Sequence, residues 1–269
     1  MAKRKAIFIT GAASGIGRAV AERFGQKGWF VGLADVNEAG CHETARPLPE
    51  GAWSIHNLDV RSRAQWAAAL ARFHEKAGRL DVLFNNAGVG RGGPLSGMSE
   101  KDVDETIGIN LNGVIHGAEA GFRYLKETPG SMLLNTASAA GIMGVSNMSI
   151  YCATKFAVRG FTESLDQEWD EHGIRAACLM PSFIDTPILD SVVQGSNANA
   201  RETIAGMGME VEPVSRVADA AWETVHGDAV TVRVGKDARR AWTMTRLFPG
   251  FMRNQMKKRQ RKRREGLAG

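Results

Sequence analysis

Three side chains that could exchange a proton lie close together in the chain. Tyr151 and Lys155 are four residues apart, and Ser138 lies thirteen residues before the tyrosine. If the segment from about residue 150 is helical, that spacing puts the phenol and the ammonium on one face, one turn apart. A fixed positive charge favours the phenolate, so Lys155 would bring the tyrosine pKa from its usual value of about 10 towards neutral pH. Ser138 would hold the oxygen that gains or loses the proton. Taken alone, a Tyr and a Lys at this spacing also fit an ordinary exposed helix, so the choice between the two interpretations depends on the surrounding elements.

The amino terminus predicts a strand, a glycine turn and a helix in direct succession. The apolar run at 6–10 reads as a buried strand, and Gly11, Gly15 and Gly17 follow it at once. From Arg18 to Gln26 apolar residues recur at helical spacing. Glycines let such a turn approach a pyrophosphate, which then rests on the amides and the positive end of the helix dipole.

These motifs together resemble the short-chain dehydrogenase/reductase family. The segment from Thr10 to Gly17 matches each fixed position of that family's T-G-x-x-x-G-I-G fingerprint. The later signatures follow in order along the chain, and the resemblance runs from about residue 5 to 190, with weaker support to about 235. These signatures are Asn85-Asn86-Ala87-Gly88, Asn110, Ser138 and Tyr151-x-x-x-Lys155.

The resemblance implies a role for each of four polar residues. Tyr151 would pass a proton to a carbonyl oxygen, or take one from an alcohol, while a hydride moves between the substrate carbon and a nicotinamide. Lys155 would lower the tyrosine pKa and hold the nicotinamide ribose, and Ser138 would bind the substrate oxygen. Asn110 would anchor a water in a proton path, and Asn112, two residues on, competes for that assignment.

The resemblance also implies a dinucleotide site, for which the residues favour NAD over NADP. Asp35 ends the second predicted strand, where a carboxylate can accept hydrogen bonds from both adenosine ribose hydroxyls and repel a 2′-phosphate. Val36 is not basic, and Arg18 is the one nearby cation. Asp59 would contact the adenine, although it also fits a helix cap. The full predicted cofactor set is Gly11, Ser14, Gly15, Ile16, Gly17, Asp35, Asp59, Val60, Asn86, Ala87, Gly88, Tyr151, Lys155, Pro181, Ile184 and Thr186, without a metal ligand.

Length and pattern predict an α/β fold with a single doubly wound Rossmann-type domain. Strands alternate with helices along the 269 residues, which indicates a parallel sheet of about seven strands covered by helices on both faces. The predicted strands lie near 6–10, 29–34, 52–57, 80–85, 131–137, 174–180 and 229–234. The predicted helices lie near 15–27, 37–46, 62–77, 100–126, 150–172 and 215–226.

Within this domain, assigned to residues 1–237, a lid is predicted at about 187–210. That stretch is rich in Gly, Asn and Ser, as expected of a segment that closes over a site. One position departs from the family pattern, because Ser182 follows Pro181 where a glycine is usual. We expect its side chain to narrow the pocket near the cofactor.

Residues 238–269 are predicted to form a basic amphipathic tail. The segment carries eleven of the 34 Lys and Arg and one of the 29 acids, so its net charge is +10, whereas residues 1–237 carry −5. Three interpretations remain open: a solvated tail, contact with an anionic membrane surface, or contact with nucleic acid. The charge run at 257–264 contains no aromatic residue, which disfavours nucleic acid.

The sequence therefore predicts an NAD-dependent oxidoreductase that interconverts a secondary, or lipophilic primary, alcohol and its ketone or aldehyde. The alternatives are an NADP-preferring carbonyl reductase, and a nucleotide-binding sensor or scaffold that reaches a partner through the basic tail. Three cysteines, odd in number, and a first apolar run too short for a signal peptide predict a cytoplasmic protein. The helices near 100–126 and 150–172 resemble the family's dimer-forming pair, so we expect a homodimer or homotetramer that acts on an apolar small molecule.

Overall fold

A computed structural model describes residues 4–190, 201, 204 and 209–267 of the chain. Seven strands form one wholly parallel sheet in the order β3-β2-β1-β4-β5-β6-β7. This confirms the predicted doubly wound sheet. The strands are β1 (Ala6–Thr10), β2 (Phe30–Asp35), β3 (Trp53–Asn57), β4 (Val82–Asn85), β5 (Met132–Thr136), β6 (Arg175–Pro181) and β7 (Thr231–Val234).

Helices connect the strands and cover both faces of the sheet. The helix predicted near 100–126 is interrupted by a π-helical turn at Gly108–Asn112, where the backbone bonds shift by one residue. The α-helices are α1 (Gly15–Gln26), α2 (Glu38–Ala45), α3 (Arg63–Ala77), α4 (Glu100–Ile107), α5 (Gly113–Lys126), α6 (Ser149–Glu168), α7 (Val214–His226), α8 (Lys236–Leu247) and α9 (Pro249–Leu267).

Apolar side chains fill the space on each side of the sheet. One core cluster joins the sheet to α1, α2 and α7, and the other joins it to α3, α5 and α6. In the second cluster the rings of Phe8 and Phe73 meet edge-on, with centroids 5.2 Å apart. Because strands buried on both faces carry near-continuous apolar runs, the hydrophobic segments read from the sequence became strands.

The strand order creates a crevice at the carboxyl edge of the sheet. Strand β1 pairs with β2 on one side and with β4 on the other, so successive connections leave it in opposite directions. Ligands of open α/β sheets bind at such a switch point. The glycine turn after β1 and the loops after β4, β5 and β6 all end there.

Helix α8 extends the core beyond the predicted end of the catalytic domain. Ala238 is fully buried and Ala241 is 8% exposed, and both pack in a cluster with Ile142, Val158 and Met180. The boundary that the sequence placed after Asp237 falls inside this helix. Among the described residues, no helix is long and apolar enough to cross a membrane.

The structure describes the two ends of the predicted lid and, between them, residues 201 and 204. Pro187–Asp190 forms a short 3-10 turn, and Ile184 makes a β-bridge with Glu212 beyond the segment. Arg201 pairs through its guanidinium with Asp185 at 2.7 Å and Asp190 at 3.2 Å. The rest of the predicted lid, at 191–200, 202–203 and 205–208, lies outside the described residues.

Candidate active site

A cleft of about 510 Å³ opens at the switch point, along the carboxyl ends of the strands. It runs from Asp35 at the end of β2 to Tyr151 at the start of α6. All of the predicted catalytic and cofactor residues line it except Gly17 and Asn110. Strand order thus brings together side chains that are far apart in the chain.

The glycine turn packs too closely for side chains. Gly11 and Gly15 have φ angles of +67° and +53°, which favour glycine. A Cβ on Gly11 would lie 2.9 Å from the Cα of Ala87, and one on Gly15 would lie 3.1 Å from Cγ2 of Thr186. Gly17 sits behind the turn, where a Cβ would collide with the carbonyl oxygen of Gly11. The backbone of the turn therefore forms one wall of the cleft.

At the acidic end of the cleft, two backbone amides hold the carboxylate of Asp35 in a fixed orientation. Asp35 Oδ2 accepts a hydrogen bond from the Ala13 amide at 3.1 Å, and Oδ1 accepts one from the Asn37 amide at 2.9 Å. The guanidinium of Arg18 donates to the Ala13 carbonyl at 2.7 Å and to Thr44 Oγ1 at 3.0 Å. Arg18 thus ties α1 to α2.

A second carboxylate near Asp35 is engaged by an arginine that the sequence did not single out. Arg61 lines the cleft and makes a two-pronged ion pair with Asp59, with Nη2–Oδ2 at 2.6 Å and Nε–Oδ1 at 2.9 Å. The hydrogen bond from Arg61 holds the pKa of Asp59 below its usual value. The alternative of a helix cap does not describe Asp59, because the side chain of Ser62 caps α3 by accepting from the Gln65 amide.

At the opposite end of the cleft lie the three residues for which the sequence predicted proton transfer. Tyr151 and Lys155 both lie in α6, with Lys155 Nζ 5.6 Å from the tyrosine ring centroid. Ser138, just after β5, shares a side-chain hydrogen bond with Tyr151. The ammonium of Lys155 donates to the Thr136 carbonyl at 2.8 Å, which anchors it to the end of β5.

Burial controls both pKa values in the protein itself. It raises the pKa of Tyr151 because the phenolate loses water, and the hydrogen bond with Ser138 lowers that pKa in part. Burial also lowers the pKa of Lys155 from 10.5 to about 8. The sequence led us to expect Lys155 to bring the tyrosine pKa down, whereas in the protein alone burial raises that pKa.

The structure separates the two asparagines that competed for one role. Asn110 lies in the π-helical turn, fully buried, and binds both polar groups of Val89: its Oδ1 accepts from the amide at 2.8 Å and its Nδ2 donates to the carbonyl at 2.9 Å. A Cβ on Gly88 would lie 3.2 Å from Asn110 Oδ1 and 3.8 Å from Lys155 Nζ. Asn112 is exposed. Asn110 therefore fixes the loop after β4 directly behind Lys155.

Asn86 links the same loop to its neighbours. Its Nδ2 donates to the Thr10 carbonyl at 3.0 Å, and its Oδ1 accepts from Thr136 Oγ1 at 3.2 Å. Thr10 Oγ1 in turn accepts from the amides of Asn86 and Ala87 at 3.0 and 3.1 Å. These bonds join the ends of β1, β4 and β5, so the side chain of Asn86 shapes the cleft floor.

One group of the residues that line the cleft is largely apolar. Met148, Phe183, Ile188 and Leu189 belong to it, together with Ser182. The hydroxyl of Ser182 lies against Gly235, where a Cβ would collide with it. The side chain of Ser182, which we expected to narrow the pocket, therefore lies in part against the start of α8.

Several lining residues were missed by the sequence reasoning. Val36 is 64% exposed yet lines the cleft beside Asp35, and its position directly after the strand-ending acid was the available signal. Arg61 likewise follows the Asp59-Val60 pair. Other lining residues that the sequence did not single out include Leu58, Val89, Gly90 and Gly92, the π-helical Ile109, and Thr136, Ala137 and Phe183.

The residues present fit a bound dinucleotide. Within the described structure, Ser14 precedes α1 without a capping side-chain bond, and the first turn of α1 contains no acid. The first amides of α1 are therefore suited to an anion such as a pyrophosphate. The glycine turn leaves room where any side chain would intrude, and the Asp35 carboxylate is placed to accept from ribose hydroxyls.

Comparison with known proteins identifies the same family that the sequence motifs resemble. The family model described as short chain dehydrogenase matches residues 5–197. Levodione reductase of Leifsonia aquatica is 33% identical over 221 residues, which are 80% of this chain and 83% of that enzyme. Meso-2,3-butanediol dehydrogenase of Serratia marcescens is 33% identical over 214 residues, 79% of this chain and 85% of that enzyme.

A solved structure extends the similarity to the whole fold. A short chain dehydrogenase/reductase from Burkholderia phymatum, crystallised in complex with NAD, superposes with a TM-score of 0.83 at 27% identity. The match covers 94% of this chain and 97% of that one.

Proposed function

The chain belongs to the short-chain dehydrogenase/reductase family and is an oxidoreductase of the alcohol dehydrogenase and ketoreductase type, and we propose that it interconverts a secondary alcohol and its ketone with NAD. One observation carries the proposal: Ser138, Tyr151 and Lys155 line the same cleft as the glycine turn and Asp35. A proton-transfer group and a dinucleotide cradle therefore face one space.

In this mechanism Tyr151 holds or releases the proton at its phenolic oxygen. Ser138, already hydrogen-bonded to Tyr151, orients the substrate oxygen towards it. Lys155, when charged, stabilises the phenolate form and would hold the nicotinamide ribose of a bound cofactor. A bound nicotinamide nucleotide supplies or accepts the hydride. Asn110 holds the loop at Val89 and keeps the cleft beside Lys155 in shape.

The preference for NAD rests on the acidic end of the cleft. The Asp35 carboxylate would accept from the ribose hydroxyls and repel a 2′-phosphate. Arg18, the cation that follows the glycine turn, already donates to Ala13 and Thr44. Arg61 is paired with Asp59, so most of its charge is compensated.

The substrate that we propose is a small alcohol or ketone with apolar substituents. Met148, Phe183, Ile188 and Leu189 offer dispersion contacts and few hydrogen bonds beyond those of Ser138 and Tyr151. The similar enzymes named for levodione and 2,3-butanediol support a carbonyl or hydroxyl on a secondary carbon.

We also propose that the protein acts in the cytoplasm as a homodimer or homotetramer, with a peripheral contact between its basic carboxyl-terminal segment and an anionic membrane. Phe156, 42% exposed on α6, supports pairing through the α4 to α6 side of the molecule.

The test of the proposed activity is Tyr151→Phe, assayed with NAD and NADP against cyclic diketones, vicinal diols and longer apolar alcohols. Because only the phenolic oxygen is removed, turnover should fall at least about a hundred-fold while the Kd for NAD changes little. Cys152→Ala, a change at the neighbouring buried thiol, serves as the matched control and should retain turnover. A wild-type protein that binds NAD without turning over any substrate would support the sensor or scaffold alternative.

A further inference from the structure

An exposed apolar surface lies where α8 meets α9. Leu247, Phe248 and Phe251 are 65%, 54% and 53% exposed, and together we call them the apolar junction. Three large apolar side chains left in water within five residues of the chain are unusual on a globular surface and mark a site of interaction. The junction is at the end of α8, and none of its residues lines the cleft.

Positive charge surrounds this junction. The cations Arg246, Arg253, Lys257, Lys258 and Arg261 are exposed around it and along α9. The segment 238–269 carries a net charge of +10, against −5 for the rest of the chain. An anionic surface would therefore attract this side of the molecule and repel the catalytic body, which fixes the direction of approach.

A cluster of arginines around Trp242 in α8 adds to the positive electrostatic potential near the apolar junction. The guanidinium carbons of Arg246, Arg159 and Arg233 lie 3.8, 4.6 and 5.0 Å from the ring centroid of Trp242. In the part of the chain that the structure describes, only Arg159 has a carboxylate partner, Glu163 at 2.8 Å. Three cations that converge from α6, β7 and α8 around one indole leave an excess of positive charge that an anion would neutralise.

Helix α8 joins this surface to the catalytic body. Its buried Ala238 and Ala241 pack against the core, so the Trp242 cluster is part of the folded domain. Apolar side chains at the headgroup boundary with Lys and Arg beside them are the features of an interfacial helix. Nucleic acid fits less well, because the exposed aromatic residues lie at the junction, before the charge run at 257–264, and not within it.

We infer that the apolar junction, the Trp242 arginine cluster and helix α9 form a docking surface for an anionic phospholipid bilayer. Leu247, Phe248 and Phe251 enter the headgroup boundary, while the surrounding cations pair with lipid phosphates. The inference rests on the peripheral contact proposed above and is independent of the proposed activity, because none of these residues lines the cleft.

The test is co-sedimentation of the full chain with vesicles of phosphatidylcholine alone or mixed with phosphatidylglycerol. We expect binding only to the mixed vesicles, with release at high salt. The triple variant K257Q/K258Q/R261Q should lower the partition coefficient roughly a hundred-fold, since each cation contributes about 1 kcal/mol near such a surface. The control R72Q/K76Q/K101Q removes the same charge from exposed positions of the catalytic body and should bind as the wild type does.

A second pair of variants tests the apolar contribution. Phe251→Ser should weaken binding about ten-fold, whereas Leu95→Ser, at an equally exposed position, should not. Turnover with NAD is measured on every variant, so loss of lipid binding with turnover intact is distinct from failure of the proposed activity. Equal binding by the triple variant and its control would overturn the inference. So would tighter binding to a single-stranded RNA than to vesicles, or a Phe251→Ser change that alters only the oligomeric state.

Discussion

Lys155 is buried at a position where its positive charge is destabilised. The side chain is 4% exposed and its pKa falls from 10.5 to about 8. The unfolded chain therefore binds more protons than the folded one between these two values, and stability rises as the pH increases from about 8 to 10.5. Below about pH 8 the full cost of the buried ammonium is present, on the order of 3 kcal/mol. At neutral pH the buried charge of Lys155 therefore weakens the fold, a cost that the proposed role of this lysine in catalysis would explain.

Lys155→Met should consequently separate stability from activity. Near pH 7 we expect the variant without cofactor to be more stable by about 1 to 3 kcal/mol, after the loss of the hydrogen bond to Thr136 is counted. Its turnover should fall at least about a hundred-fold. Urea unfolding at about pH 7 and about pH 10 would measure the gain, which should shrink at the higher pH. Lys76→Met, at an exposed position, is the control, and a destabilised K155M at neutral pH would contradict the argument.

Asp35 is the residue at which cofactor preference can be tested. Asp35→Asn keeps an acceptor oxygen for only one of the two amides, those of Ala13 and Asn37, and it removes the charge that opposes a 2′-phosphate. We expect the ratio of kcat/KM for NAD to that for NADP to fall about ten-fold or more. Side-by-side kinetics with both cofactors measure it. A wild-type protein that already prefers NADP would show that the carboxylate does not decide the choice.

Among the elements, the strands followed from the sequence most closely. Apolar runs such as Ile7 to Ile9 and Leu133 to Leu134 are buried on both faces of a parallel sheet, so hydrophobicity alone marked them. The glycine turn and the start of α6 were equally predictable, because their motifs have fixed spacing.

Other features depend on contacts that no local pattern encodes. The π-helical turn at Gly108–Asn112 lies inside a segment whose periodicity is helical throughout, and its buried Asn110 binds Val89, 21 residues away. The pairing of Arg61 with Asp59 required the geometry of the loop after β3. The burial of α8 was hidden by its charge, because Arg239 and Arg240 are exposed while Ala238 and Ala241 face the core.

The π-helical turn suggests a direct comparison of its two asparagines. Asn110→Ala would leave both the amide and the carbonyl of Val89 without their partner, at a cost of about 2 to 4 kcal/mol. Turnover should fall with it, since the loop behind Lys155 loosens. Asn112 lies two residues further along the same turn and is exposed, so Asn112→Ala should change the free energy of unfolding by less than about 0.5 kcal/mol. Chemical unfolding and initial rates check both, and equal effects would mean that the Val89 contacts are unimportant.

At the scale of the whole molecule, charge and packing divide the carboxyl-terminal segment at different places. The excess of Lys and Arg begins just after Asp237, but the hydrophobic core continues through Ala241. Helix α8 therefore belongs to the catalytic body by packing and to the basic segment by charge. The side chains of helix α9 add nothing to the described core clusters, so this helix belongs to the basic segment and not to the catalytic body.

Two truncations should locate the functional end of the domain. Ending the chain after Leu247 keeps Ala238, Ala241 and Trp242 in place, so we expect a thermal midpoint within a few degrees of the full chain and unchanged turnover. Ending it after Asp237 would expose the apolar surface around Val158 and Met180 and should cost several kcal/mol, with aggregation or loss of soluble protein. Calorimetry and turnover of the two truncated proteins measure the difference. If the shorter chain were as stable and active as the longer one, α8 would be an appendage and the domain would end at Asp237, where the charge changes sign.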